Sequence, residues 1–168
     1  MSDGTGHSDV GPSDHTSVTI ADASPTWEPA IADMLDELRA NGDERWFHPF
    51  PLDAGSARSI VSANGRDRYL IAVEGSSVLA LGMLRGWDEG YDTPSLGIAV
   101  SPRTQGRGLG RVLMLHLHEE ARRAGSRQIR LTVDRANVRA VALYRSLGYV
   151  FSEDSDGRYL GFKDLSGA

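Results

Sequence analysis

Cysteine is absent from the 168 residues, and with it go disulfides, thiolate metal sites and every thiol nucleophile. Acyl transfer through a cysteinyl enzyme is therefore excluded, and a reducing compartment is expected. Lysine occurs once, at Lys163. A nucleoside-triphosphate loop of the form Gly-x-x-x-x-Gly-Lys-Ser/Thr is thus missing, which argues against kinase-like use. No apolar run approaches the roughly 18 to 20 residues needed to cross a bilayer, and the N-terminus has neither the basic start nor the apolar stretch of a secretion signal. A cytoplasmic protein without a membrane partner is expected. Strong charge is lacking too: a formal -5 is mild and of the wrong sign for a nucleic-acid groove. The length suits one domain able to bury a continuous core.

What the chain does contain is patterned. Residues 1–17 are rich in Gly, Ser, Asp, Thr and His and read as a disordered tail, leaving 18–168 as a single domain. Val18 to Ile20 predicts a short strand, and Trp27, Ile31, Met34, Leu35 and Leu38 recur at helical spacing between Pro25 and Ala40. In Trp46-Phe47-His48-Pro49-Phe50-Pro51 two prolines forbid regular structure while three aromatics demand burial or a ligand, so a pocket wall is expected. Asp53 caps a second helix reaching about Ala63. Tyr69 to Glu74 and Val78 to Trp87 then form a hairpin around Gly75-Ser76-Ser77. Leu96 to Val100 is a strand in which Gly97 suggests a bulge. A helix from about Gly108 to Ala124, with Leu109, Val112, Leu113 and Leu117 as its apolar face, precedes a strand at Gln128 to Val133. Asn137 caps a last helix ending at Gly148, and Tyr149 to Glu153 pairs with Arg158 to Lys163 around Ser155-Asp156-Gly157.

The segment Gln105-Gly106-Arg107-Gly108-Leu109-Gly110 carries the chemistry. Three glycines let the backbone curl with its amides exposed, and the helix that follows aims unpaired N–H groups and a positive dipole end at the same point. That suits a pyrophosphate, with Arg103, Arg107 and Arg111 near enough in sequence to add charge. The dinucleotide fingerprint Gly-x-Gly-x-x-Gly fails, because the third glycine comes one residue early and antiparallel strands precede the turn.

With this turn, and with Asn137-Val138-Arg139-Ala140-Val141-Ala142-Leu143-Tyr144 and Leu147-Gly148-Tyr149 downstream, the sequence resembles the GCN5-related N-acetyltransferase (GNAT) family, whose pyrophosphate turn reads Gln/Arg-x-x-Gly-x-Gly/Ala. The resemblance runs from about Ser17 to the C-terminus. It implies a mixed α/β (α+β) fold with a mostly antiparallel central sheet of about six or seven strands, flanked by about four helices and splayed at the coenzyme cleft. It further implies acetyl-CoA as acyl donor. Backbone groups of Ile98, Ala99 and Val100 would meet the pantetheine arm, amides of Gln105, Gly106, Arg107, Gly108, Leu109 and Gly110 the pyrophosphate, with Arg111, Asn137 and Tyr144 also at the coenzyme.

By the same resemblance Tyr144 is the candidate acid for the departing thiolate; the alternative is a tyrosine that only packs. Some relatives carry a glutamate where this chain has Thr132, which cannot act as a base. Glu89 and Asp88 are then candidates, with Asp134 and His48 as further ones, and an already neutral amine needs none. His116 and His118 stand two apart on a helix and lack His-Glu-x-x-His, so no metal is expected. The acceptor amine is expected between Trp46, Phe47, His48 and Phe50 on one side and Trp87 to Tyr91 on the other, where aromatic faces suit an amino sugar or another small amine. A protein N-terminus or lysine is the alternative acceptor, and a non-catalytic acyl-CoA-binding module the alternative class. A second copy of the chain is an allowed partner.

Overall fold

The computed structural model describes residues 17–153 and 156–167. The expected tail therefore lies outside the described residues except for Ser17, as does Ser155 of the last turn. Four α-helices and seven strands follow in the order β1 (Thr19–Asp22), α1 (Glu28–Ala40), α2 (Ala54–Val61), β2 (Arg68–Glu74), β3 (Ser77–Arg85), β4 (Ser95–Val100), α3 (Leu109–Arg123), β5 (Gln128–Asp134), α4 (Val138–Ser146), β6 (Val150–Glu153) and β7 (Arg158–Asp164). No helix among the described residues is long and apolar enough to cross a membrane.

Local chemistry accounts for the helix ends. The Asp53 carboxylate accepts the Ser56 N–H at 2.9 Å and starts α2, and the Asn137 side chain accepts from Ala140 N at 3.4 Å and starts α4. The strands form one sheet in the order β1-β2-β3-β4-β5-β7-β6, antiparallel except between β4 and β5. Alternation along its strands divides the core into two faces. Ile71, Leu81, Met83 and Ala99 pack with α1 and α2, while Leu70, Ala80, Leu84, Leu131 and Val133 pack with α3 and α4. A register shift in the β2–β3 pairing, between Ala72 and Val73, leaves Leu79 unopposed, so Val78 shares a face with Leu81 although the two differ in parity.

Helix α3 buries Leu109, Leu113, Met114, Leu117, His118 and Ala121. Val112 is corrected: it is 43% exposed, because the buried stripe runs through Met114 and Ala121 instead. The helix lies directly on Gly82, where a Cβ would stand 2.7 Å from a Leu117 methyl. That close approach seats α3, and so its N-terminal turn, against the middle of the sheet. Leu113 and Leu117 are fully buried, and truncating either to Ala should cost about 2–5 kcal/mol.

The bulge expected at Gly97 is also corrected. Strands β3 and β4 stay in register through Met83 and Gly97, and the glycine accommodates the Met83 side chain, which a Cβ would meet at 3.1 Å. The irregularity lies on the other edge of β4. Its pairing with β5 is confined to Ser95 opposite Arg130, with Arg130 N–H donating to Pro94 O at 3.0 Å, and the two strands then part.

Candidate active site

The parting of β4 and β5 opens the cleft. Ser101 N–H donates to Leu79 O at 2.8 Å, which by antiparallel alternation turns the backbone groups of Gly97 and Ala99 toward β3. Ile98 and Val100 therefore turn theirs toward the gap. Of the three residues expected to offer backbone groups to a pantetheine arm, Ala99 is the one corrected: it borders the cavity but spends its hydrogen bonds on Leu81.

Beyond β4 the chain makes the glycine-rich turn. Gly106 and Gly108 have φ of 84° and 77°, the left-handed region that a side chain disfavours. The first intrahelical bond of α3 is Val112 N–H to Gly108 O, and among the described residues the seven successive N–H groups of Gln105 to Arg111 have no internal acceptor. All of these residues but Arg107 border a cavity of about 530 Å³ that Ile98, Val100, Asn137 and Tyr144 also line. Such a concentration of unpaired amides at a helix start suits an anion. Two of the arginines expected to add charge are engaged elsewhere: Arg103 pairs with Glu37 at 2.7 Å and Arg107 with Glu74 at 2.9 Å. Arg111 instead donates to Ser146 Oγ at 2.6 Å, and Arg139 donates to Gln105 Oε1 at 2.9 Å, so both bond neutral oxygens and keep their charge at this cavity. The Arg139 bond also ties the turn to α4.

On α4, capping occupies the Asn137 side-chain oxygen, which leaves its amide NH2 for a ligand. Two turns on, Tyr144 is 8% exposed, and burial pushes its phenol up to about 12. It stacks at a tilt 5.9 Å from the ring of Tyr149, whose hydroxyl is 2.9 Å from His118 Nε2. Burial, with Lys163 and Arg122 beside it, lowers His118 to about 4 and keeps it a neutral imidazole within the core.

A second cavity of about 390 Å³ joins the first and shares Arg45, Trp46, Phe47, Thr132 and Val133 with it. Of the expected acceptor residues, Trp46, Phe47, His48, Glu89 and the 62%-exposed Tyr91 line it. His48 Nδ1 lies 3.0 Å from Glu44 O; since a carbonyl only accepts, Nδ1 is the donor of that bond.

Three expectations are corrected. Trp87 is 4% exposed in the core beside Leu84 and Leu96, with Nε1 donating to Ser126 Oγ, and does not reach the cavity. Phe50 packs edge-on against Phe47 in the α1–α2 core and supports the wall without lining it. Asp88 accepts the N–H groups of Arg66 at 2.6 Å and Asp67 at 3.3 Å, which fastens the end of β3 to the start of β2 and faces the carboxylate away from the cavity. Of the other base candidates, Asp134 lines the cavity but one oxygen is committed to Ala136 N–H at 2.8 Å.

Sequence reasoning did not single out Arg45, Arg85 and Arg130, which also line this second cavity. A signal existed for Arg130, which lies two residues before Thr132 on a strand and so shares its face. Arg45 and Arg85 carried none.

Residues 31–149 match the acetyltransferase (GNAT) family. Mycothiol acetyltransferase of Thermobispora bispora is 45% identical over 119 residues, covering 68% of this chain and 35% of that protein. The ribosomal protein bS18-alanine N-acetyltransferase of Escherichia coli K12 is 46% identical over 52 residues, 31% of this chain and 35% of the relative. The chain thus spans about a third of the length of these curated relatives. The GNAT domain of S. lividans PAT superposes with a TM-score of 0.76 at 18% identity, covering 86% of this chain and 89% of that one, which shows the same fold. With its splayed β4–β5 cleft and its ring of free amides, the chain belongs to the acetyltransferase (GNAT) family.

Proposed function

We propose that the chain is an acetyl-CoA-dependent N-acetyltransferase that acts on a small primary amine by direct attack. The observation that carries the reading is the run of free N–H groups from Gln105 to Arg111 at one end of a cleft whose other end holds a buried, protonated Tyr144. The amides, with Arg111 and Arg139, receive the pyrophosphate. The backbone of Ile98 and Val100 receives the pantetheine amides as an added strand would. When bound, the coenzyme supplies an acetyl thioester.

The amine enters through the cavity between Trp46 and Tyr91. Its nitrogen bonds to the acetyl carbon, the carbon–sulfur bond breaks, and the amine proton leaves to a base. Glu89 is that base, because it is the expected carboxylate that both faces the cavity and has no backbone N–H to satisfy. Tyr144 meets the developing thiolate. A phenol at about 12 cannot hand its proton fully to a thiolate whose thiol has a pKa near 8.5, a transfer uphill by roughly 5 kcal/mol. Its part is a hydrogen bond that strengthens as sulfur gains charge.

An amino sugar fits the half-buried ring of Trp46, the exposed ring of Tyr91 and the cavity's size. A peptide N-terminus is the second reading, favoured by the likeness to the E. coli bS18-alanine N-acetyltransferase. The test is thiol release from acetyl-CoA over a panel of amino sugars, amino acids and N-terminal peptides. Tyr144→Phe should keep coenzyme affinity and lower kcat by about 10²- to 10³-fold. Tight coenzyme binding without turnover on any amine would leave a binding module in place of an enzyme.

A further inference from the structure

The acceptor cavity is positive in a chain whose formal charge is -5. Arg45, Arg85, Arg130 and Arg158 line it against only two lining carboxylates, Glu89 and Asp134. Asp134 has one oxygen committed to Ala136 N–H. Arg158 has Asp156 at 3.9 Å, but none of the other three guanidinium groups has a carboxylate partner among the described residues. Arg45 lies over the Trp46 ring at 4.8 Å, and Arg85 reaches only the Pro49 carbonyl at 3.5 Å. Arg130 has no side-chain hydrogen bond or ion pair among the described residues.

Seven arginines elsewhere are paired with acids: Arg39, Arg58, Arg68, Arg103, Arg107, Arg122 and Arg123 each have an acidic partner within 4 Å. Among the described residues Arg66, Arg127 and Arg145 also have none and line neither cavity, and Arg111 and Arg139 stand at the glycine-rich turn; Arg45, Arg85 and Arg130 meet where the amine must enter. They also come from three separate segments, the loop before Trp46, the end of β3 and the middle of β5, which fixes them around one space.

Resting on the acetyltransferase reading, we propose that the acceptor amine carries an oxyanion, a carboxylate or a phosphate, and that Arg45, Arg85 and Arg130 receive it while Glu89 faces the amine. Guanidinium groups bind both anions in a two-point fork and keep their charge at every working pH. A cleft of one sign also concentrates ligands of the other. The same arginines disfavour polyamines, whose second cation finds beyond Glu89 only Asp134, with one oxygen already committed.

The experiment compares acceptors in matched pairs: L-alanine with L-alaninamide, and glucosamine 6-phosphate with glucosamine, with spermidine as a cationic control. The two amines of a pair differ in basicity. The diagnostic is therefore the change in their kcat/KM ratio between the parent protein and the Arg85→Gln and Arg130→Gln variants, with acetyl-CoA affinity as the control for folding. In at least one pair the anionic member should be preferred by the parent, and the ratio should fall about tenfold or more in the variants, through KM. The pair that responds separates carboxylate from phosphate. Ratios unchanged in both variants, or turnover confined to neutral amines and spermidine, overturn the inference and leave the acetyltransferase reading standing. Failure of every amine to release thiol overturns both.

Discussion

Asp88 and Glu89 are adjacent carboxylates after the same strand, and the structure gives them opposite work. Asp67 Oδ1 accepts from Gly86 N–H and Asp88 N–H at 3.0 and 3.2 Å, while Asp88 accepts from Arg66 and Asp67, so the two side chains clasp the ends of β2 and β3. Glu89 projects from that clasp into the cavity. Asp88→Ala should therefore lower stability by about 1–3 kcal/mol, read from urea unfolding, and leave kcat of the folded protein unchanged. Glu89→Gln should do the reverse: stability within about 0.5 kcal/mol of the parent, and kcat/KM for an ammonium acceptor down about 10²-fold at neutral pH. That deficit should shrink as pH rises and the free amine needs no base. A Glu89→Gln enzyme with parental rates at pH 7 would remove the residue from the mechanism. Nothing in the sequence separates the pair, because only the meeting of residues 66–67 with the end of β3 tells which carboxylate is occupied.

At the scale of the element, the turn before α3 works through backbone conformation. Gly108 caps the helix at φ 77° with no side-chain acceptor, and a Cβ there would touch nothing within 4 Å. Space is therefore not the constraint; the left-handed φ is. Gly108→Val should cost about 1–3 kcal/mol of strain or shift the turn, either of which misdirects the amides of Leu109 to Arg111. The expected result is a domain still folded by circular dichroism whose calorimetric affinity for acetyl-CoA is at least tenfold weaker. Gly110 differs: it is helical, and a Cβ would make an ordinary contact with Leu143 at 3.4 Å, so Gly110→Ala should bind nearly as the parent does. Equal affinity in Gly108→Val would discard the turn as the anion site. This element was legible in the sequence, since glycine at 106 and 108, an asparagine cap at 137 and apolar residues at helical spacing are local signals. The Gly97 bulge and the place of Val112 on the apolar face misled, because each depends on what packs opposite.

Across the whole molecule, the α3–α4 side of the sheet encloses a histidine whose protonation is disfavoured by its surroundings. The native His118 sits at about 4, against about 6.5 when unfolded, because burial and the nearby Lys163 and Arg122 disfavour its charged form. Between those values the unfolded chain binds the extra proton. Stability from this residue is thus complete above pH 6.5, falls as pH drops toward 4, and levels off below. Urea midpoints measured at pH 7.5, 5.5 and 4.5 should decline in the parent. They should decline less steeply in His118→Gln, which can still meet the Tyr149 hydroxyl. Identical slopes would show that carboxylate protonation alone governs acid unfolding.

The amino-acid sequence by itself determined the order of the elements, the glycine-rich turn with its free amides and the helix that carries Tyr144 behind its Asn137 cap. These rest on short segments whose glycines, caps and apolar spacing act on their own backbone. Tertiary structure alone decided the acceptor side. That cavity joins residues 45–49, 83–91 and 130–134, and they meet only because β4 and β5 part after a single pair at Ser95 and Arg130. The same packing buried Trp87, turned Phe50 into support, and gathered three arginines, without acidic partners among the described residues, around the entrance. A side chain's role there depends on which strand lies beside its own, and no local pattern encodes that.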